Sequence, residues 1–267
     1  MPYATVDGTE LFYTDVAGSK PALLLVHGWA CDSHDWNWQF GPFIAAGHRV
    51  IAVDNRGHGR SQVPSSGYDI PRFAADLAGL IDQLDAGPVI AIGHSLGGFI
   101  VSSLAVEHPD HVQAVVVVDP GYGHTDKRLA SIGRAMAESL RDPSGFDLVR
   151  DTFAAMEGPT TPDALRFWHG RRAMGCSADA LIGTLAGIFD LPPAIGSRDA
   201  ADTYLAGRKC PVLAIHNVPA QAEWETTTFQ HPKSTATTFS GTGHWLHQER
   251  PDEFNTLVLE WIEQLTA

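Results

Sequence analysis

The amino-acid sequence predicts an α/β protein: a parallel sheet covered by helices on both faces, interrupted late in the chain by a block of helices. Three observations carry this. Apolar runs at 22–26, 49–53, 89–92 and 114–118 recur at spacings that leave room for a helix between neighbours. Runs of this kind suit strands buried on both faces, which is the signature of a helix-covered parallel sheet. Residues 121–207 then carry helical periodicity without a clear strand before strand character returns at 211–216 and 235–239.

Taken in order, residues 3–7 and 10–16 read as an opening hairpin around Asp7-Gly8, a pair suited to a tight two-residue turn. The strand at 22–26 (ALLLV) follows, then 49–53, the helix 73–84, and the strand 89–92. A helical run at 99–106 leads to the nearly all-valine strand 114–118. Strands alternating with helices imply parallel crossovers. The helices 130–140, 146–156, 162–174 and 178–189 make up the insertion, and 251–265 closes the chain as a helix. The chain therefore divides into a first core part (1–120), a helical cap (121–207) and a second core part (208–267). An insertion of this size in a sheet domain suits a lid over a site. Its aromatics, Phe146, Phe153, Phe167, Trp168 and Phe189, suit the roof of an apolar pocket, with Trp168 and Phe189 as the expected walls. Packing within the cap itself is the competing use for each.

Composition narrows the function classes. The 267 residues suffice for one large core with a lid. Eighteen Lys+Arg against 31 Asp+Glu leave a formal charge of −13. That opposes nucleic-acid binding, which needs cations to displace phosphate counterions, and opposes an anionic membrane surface. Three scattered cysteines without a CxxC pair suit reduced thiols in a cytosol. The N-terminal MPYATVDGTELFY lacks the basic-then-apolar pattern of a signal peptide, and no apolar stretch reaches the ~20 residues that span a bilayer. Cys176 and His169 lie near each other in sequence, but their spacing matches no zinc pattern. No HxE…H triad, haem motif or dinucleotide fingerprint is found. The expectation is a cytoplasmic protein without metal or organic cofactor, acting on a small apolar or aromatic molecule.

The chemistry concentrates in three loops. Gly93-His94-Ser95-Leu96-Gly97-Gly98 follows the strand 89–92 and precedes the helical run 99–106. Strand, G-x-S-x-G, helix is the context of a nucleophile elbow, in which glycines permit a tight turn that raises the serine hydroxyl above the sheet. His27-Gly28-Trp29 follows the strand 22–26. The backbone N–H groups of Trp29 and Leu96 can then form an oxyanion hole. Trp29, Leu96, His94 and Trp168 are the candidate substrate contacts. Gly241-Thr242-Gly243-His244-Trp245 follows the last strand. With 13 histidines in the chain a lone one means little; His244 stands out because it follows Ser95 on a glycine-rich loop just before the final helix. Asp54-Asn55-Arg56-Gly57-His58-Gly59-Arg60-Ser61, after the strand 49–53, reads as a structural turn beside the site.

An acid must orient His244, and the loop after 211–216 offers only Val218, Pro219 and Ala220 where one is usual. Asp119, directly after the strand 114–118, is the candidate; a cap before Pro120 is its bland alternative. Glu223 and Glu225, further along the later loop, are the rivals. A strand-end carboxylate is held by a rigid element and orients an imidazole better.

Together these motifs resemble the α/β-hydrolase fold superfamily over essentially the whole chain. The resemblance implies an eight-stranded, mostly parallel sheet with a helical cap. Two of its families place the acid after this strand: zearalenone-type lactonases, which are serine hydrolases, and cofactor-independent dioxygenases of 3-hydroxy-4-oxoquinolines. The second is the closer resemblance. Gly28-Trp29 with Asp32, Leu140-Arg141-Asp142-Pro143, and Pro219…Glu223-Trp224-Glu225 followed by Gln230-His231-Pro232 are similar to that family's. Leu96 and Cys31 depart from it, standing where its quinaldine-cleaving members carry more polar side chains, which suggests a greasier substrate such as a 2-alkyl quinolone. What this resemblance implies is a base dyad, His244 with Asp119, that deprotonates the 3-hydroxyl of a 3-hydroxy-4(1H)-quinolone. The anion then reacts with dioxygen, and the ring opens with loss of carbon monoxide. The alternative is hydrolysis of an ester or lactone with Ser95 as nucleophile, His244 as base and Asp119 as acid. Base rates favour the hydrolase, local matches the dioxygenase, and the sequence reading commits to the latter. The exact substrate and the oligomeric state are not legible.

Overall fold

The computed structural model describes residues 2–125 and 128–266. Strands β1 (Tyr3–Val6) and β2 (Thr9–Val16) form the opening hairpin. Asp7 and Gly8 both take left-handed φ at its turn (43° and 78°), the geometry that matches the twist of the flanking strands. Strand β3 (Lys20–Val26) leads through a 3-10 turn (Ser33–Trp36) into helix α1 (Asn37–Ala45) and strand β4 (His48–Val53). Helix α2 (Ile70–Gln83), strand β5 (Val89–His94), helix α3 (Leu96–Glu107) and strand β6 (Val112–Val118) follow.

Between β6 and the next strand lie α4 (Arg128–Ser139), α5 (Gly145–Met156), α6 (Asp163–Ala173), α7 (Ala178–Phe189) and α8 (Arg198–Leu205). Strand β7 (Val212–His216), helix α9 (Pro219–Thr226), strand β8 (Thr235–Thr238), the short α10 (Leu246–Glu249) and α11 (Pro251–Thr266) complete the chain.

The sheet has eight strands in the order β1-β2-β4-β3-β5-β6-β7-β8. The pairings β1–β2 and β2–β4 are antiparallel and all others parallel, so the expected mostly parallel sheet is present. The apolar runs work as strands because both sides of the sheet are covered. Leu24, Val26, Ala91, Val115 and Val117 pack against Phe73 and Leu77 of α2 and Ile100 and Leu104 of α3. Leu23, Leu25, Ile90, Ile92 and Val116 face Phe43 of α1 and Phe254, Val258 and Trp261 of α11. Each such Leu or Ile removed from water contributes about 1.5–3 kcal/mol, which fixes strand register firmly.

Helix α2 starts where Asp69 accepts from the Arg72 N–H at 3.0 Å, an N-cap that supplies one missing backbone partner. A third cluster joins the inserted helices to the core: Met136, Val149, Phe153, Leu181 and Leu185 pack with Ala30, Cys31 and Trp245. Four helices, α1, α8, α9 and the one-turn α10, were absent from the sequence reading. Helix α1 contains Gly41 and Pro42, which disguise its pattern, and α8 is short and polar. Helix α9 occupies what was read as loop and starts from Pro219, a residue pre-set for the first helical turn. Among the described residues no helix is long and apolar enough to cross a membrane.

Candidate active site

The site lies at the carboxyl edge of the parallel strands, where β5 and β6 end side by side. Ser95 takes φ 52° and ψ −115° between β5 and α3. Holding a non-glycine residue there costs roughly 1–3 kcal/mol, and such strain persists where surrounding structure enforces it. Two glycines make the enforcement possible. A Cβ on Gly93 would lie 2.2 Å from the Gly97 carbonyl oxygen, and one on Gly97 would lie 2.1 Å from that of Val26. Helix α3 can therefore close onto β5 and β3 only because both lack side chains. The Ser95 N–H donates to the Val118 carbonyl at 2.9 Å, which locks the elbow to β6.

Asp119 follows β6 immediately, with φ 44°. Its own N–H donates to Ile215 O at 2.7 Å. Its Oδ1 accepts from the Asn217 N–H at 3.0 Å and its Oδ2 from His244 Nδ1 at 2.6 Å. Burial pushes this carboxyl up, but His244 and the Asn217 N–H outweigh it and hold the pKa below the usual carboxylate value. With Nδ1–H donated to a carboxylate, the free lone pair of His244 is on Nε2. That is the arrangement of a general base whose imidazolium form is stabilised by its neighbour. No direct Ser95–His244 hydrogen bond forms among the described residues, but both line one cavity.

The rival acids have other places. Glu223 is exposed. Glu225 is fully buried and does meet an imidazole, that of His216, which donates from Nε2 at 2.7 Å. It also accepts from Arg208 Nη1 at 2.9 Å and Tyr122 Oη at 2.5 Å. Burial opposes its charge, but Arg208 and His216 bring its pKa down to about 2. It closes a structural charge cluster under α9, away from His244.

The cavity encloses about 230 Å³, below the ~300–1,000 Å³ of sites that hold drug-sized ligands. Its walls are overwhelmingly apolar: Phe99, Met136, Phe153, Leu185, Ile188 and Phe189, with Trp29, Leu96 and Trp245 nearest the reactive groups. The inserted helices supply the far side. They are tied to both loops of the site, since the His244 N–H donates to Met156 O of α5 at 2.8 Å and Trp29 Nε1 donates to Leu181 O of α7 at 3.2 Å. Neither the Trp29 nor the Leu96 backbone N–H finds a backbone acceptor among the described residues.

One of the sequence-derived contacts sits elsewhere. Trp168 does not line the cavity. Helix α6 buries Leu165, His169 and Ala173, one stripe at helical spacing. Trp168 lies off that stripe, 40% exposed, its ring edge-on to His34 in a separate surface groove. Phe167 is more exposed still, at 72%. Phe189 reaches the wall as expected. His94 lines the cavity from behind His244: its Nδ1 donates to Asp35 Oδ2 at 2.9 Å, and its Nε2 lies 3.1 Å from the His244 carbonyl oxygen. Burial draws the pKa of His94 down while Asp35 opposes that pull.

Sequence reasoning missed Asp35, His247 and Gln248, buried beneath the site, and Arg172, which is partly buried with little of its side chain exposed. The run Asp32-Ser33-His34-Asp35 is polar throughout, and nothing in its local pattern marks Asp35 as buried. Asp35, His94 and His247 bring potential metal-ligand atoms within 4.8 Å of one another. The group suits a cation poorly, because Arg172 Nη2 already neutralises Asp35 at 2.8 Å and both ring nitrogens of His94 already face protein oxygens. His169 is no partner of Cys176. It sits between Glu157 (3.3 Å) and Gln248 (3.0 Å), stacked on Trp245, and burial lowers its pKa to about 4.

Comparison with known proteins agrees with this architecture. A non-heme chloroperoxidase of Streptomyces lividans is 39% identical over 155 residues, 57% of this chain and 52% of that protein. A bifunctional esterase/perhydrolase of Acinetobacter calcoaceticus is 29% identical over 63% of this chain and 58% of its own length. The matched segments thus span little more than half of these relatives. The non-heme chloroperoxidase CPO-A1 of Kitasatospora aureofaciens aligns over 99% of this chain and 100% of its own, at 26% identity. Among solved structures, the enol-lactonase of Burkholderia xenovorans superposes with a TM-score of 0.84 at 22% identity, covering 98% of this chain and 100% of that one. An esterase of Thermogutta terrifontis gives 0.85 at 22% identity, covering 100% and 98%. At such identities the structural matches speak for the fold. The sequence model of the alpha/beta hydrolase fold matches residues 21–251, and the chain belongs to that family.

Proposed function

We propose that the protein is a serine hydrolase of small apolar carboxylic esters or lactones, with Ser95 as nucleophile, His244 as general base and acid, and Asp119 as the orienting carboxylate. The observation that carries this reading is the 2.6 Å bond from His244 Nδ1 to Asp119, which aims Nε2 into the apolar cavity that also holds Ser95. His244 takes the Ser95 hydroxyl proton as Oγ attacks the acyl carbon. The N–H groups of Trp29 and Leu96 receive the oxyanion. His244 then protonates the departing alcohol oxygen, and a water activated by the same imidazole releases the acid. Asp119 stays ionised throughout and offsets the positive charge on the ring. The cavity size limits the acyl group to a short or compact one. The esterase, lactonase and haloperoxidase names among the relatives support this reading over oxygenation.

One observation favours a second reading. An acid after β6 is common to zearalenone-type lactonases and cofactor-independent dioxygenases, but Leu140-Arg141-Asp142-Pro143 and Pro219…Glu223-Trp224-Glu225 are similar to the latter. In that case the same dyad would deprotonate a hydroxyl of a 3-hydroxy-4-quinolone for direct reaction with dioxygen, and Ser95 would only hydrogen-bond. Steady-state hydrolysis of short p-nitrophenyl esters and lactones, run beside oxygen uptake on a 3-hydroxy-4-quinolone, separates the two. The hydrolase reading expects ester or lactone turnover that falls by about 10³-fold or more in Ser95→Ala. Oxygen uptake with carbon monoxide release, persisting in that variant, would replace it with the second reading.

A further inference from the structure

Beneath the site lies a polar chain that the proposed chemistry does not use. Asp35, in the 3-10 turn after the Trp29 loop, is wholly buried. Its Oδ1 accepts from Arg172 Nη2 and Gln248 Nε2, both at 2.8 Å. Its Oδ2 accepts from His94 Nδ1 at 2.9 Å and from the Gly28 N–H at 3.4 Å. The far side of the His94 ring packs on the His244 loop: its Nε2 lies 3.1 Å from the His244 carbonyl oxygen and its ring 4.7 Å from that of His244. One carboxylate therefore fixes two loops: the one that presents the Trp29 N–H and the one that carries His244. Its counter-charge comes from α6, an inserted helix, and the Arg172 side chain is only 8% exposed.

A buried carboxylate is held in place only while paired. Without Arg172, Asp35 keeps Gln248, His94 and Gly28 but loses its cation. It must then take up a proton or shift, and either change alters the bonds to His94 and Gly28. Base and oxyanion donor must stay within about 0.5 Å of their working positions, and a misplacement of about 1 Å reduces turnover on the order of 10²-fold.

We infer that Arg172 is a positioning residue which, through Asp35 and His94, aligns the His244 loop and the Gly28-Trp29 loop, so that catalytic alignment depends on the seating of helix α6. The inference rests on the hydrolase reading for its kinetic arm, while a second arm is independent of substrate. In Arg172→Met, kcat for p-nitrophenyl butyrate should fall about 10- to 100-fold with KM within about threefold. Arg172→Lys should recover part of the loss, and methylguanidinium added to Arg172→Met should recover more. Because Arg172→Met strands a buried charge and could unfold, the neutral pair Arg172→Met/Asp35→Asn is made beside it. Its kcat should be no lower than that of the single variant, since both act through one chain. In the substrate-free arm, amide hydrogen exchange followed by mass spectrometry should speed up in segments 27–31 and 243–247 of Arg172→Met while β5 and β6 keep their protection. An unchanged kcat in a folded variant, or exchange that rises uniformly over the chain, would overturn the positioning role. Wild-type protein that turns over no ester or lactone, with the two loops still loosened selectively, would instead sink the hydrolase reading and leave the alignment chain standing.

Discussion

Replacing Asp119 with Asn tests the dyad quantitatively. The side chain keeps its shape, and Asn Oδ1 can still accept from the Asn217 N–H, which Asp119 binds at 3.0 Å. The amide presents Nδ2–H to His244 where the carboxylate presented an acceptor at 2.6 Å. The ring must then accept at Nδ1 and carry its proton on Nε2, the wrong tautomer for taking a proton from Ser95. Loss of the negative charge adds a second effect. Two unit charges roughly 4 Å apart at an effective dielectric of about 20 attract by about 4 kcal/mol. At 1.36 kcal/mol per decade, that alone is about 10³ in rate; the tautomer penalty brings the expected loss in kcat/KM to about 10³–10⁴. The assay is p-nitrophenyl butyrate hydrolysis by protein shown to be folded by circular dichroism. An Asp119→Asn variant within about threefold of wild type, with Glu225→Gln inactive yet folded, would refute the reasoning and move the acid to α9.

Glu225→Gln should leave kcat of the folded protein unchanged but cost about 3–5 kcal/mol in denaturant unfolding, because it leaves the buried Arg208 without its anion. The folded pKa of Glu225, about 2, lies below its ordinary 4.5. Its contribution to stability is therefore present above pH 4.5 and lost as pH falls toward 2; urea midpoints should drop across that window in wild type and less so in the variant. Gly97→Ala drives a Cβ to 2.1 Å from the Val26 oxygen, so both esterase activity and the unfolding midpoint should fall, the latter by about 1–3 kcal/mol or more. Leu185→Ala, in the α7 wall, should shift acyl preference toward longer chains in a p-nitrophenyl ester series while costing about 2–5 kcal/mol in stability. An unshifted chain-length profile would show that the acyl group binds elsewhere.

Much of the fold was legible because a parallel sheet writes itself as apolar runs. Leu23, Leu24 and Leu25 need no alternation when both faces are covered, and the glycines around Ser95 mark a turn that tolerates no added side chain. The three side chains proposed for chemistry, Ser95, Asp119 and His244, stand out in the sequence for a related reason: each stands directly after a strand or on a glycine-rich loop at the sheet edge. What failed was the side of a helix. Trp168 and Phe189 looked equivalent in sequence, yet the stripe Leu165, His169, Ala173 turns Trp168 to solvent. Asp35 and Arg172 were missed because a buried ion pair between residues 137 positions apart leaves no periodic trace. The loop read after the strand 211–216 is helix α9, which covers the Glu225 cluster, a tertiary demand that local propensity does not record.

Intact-protein mass spectrometry during turnover of a slowly deacylated ester tests the central claim most directly. A mass gain equal to the acyl group, mapped to Ser95 by peptide sequencing and absent in Ser95→Ala, is the expected result. Steady hydrolysis with an unmodified Ser95, and equal rates in Ser95→Ala, would contradict it.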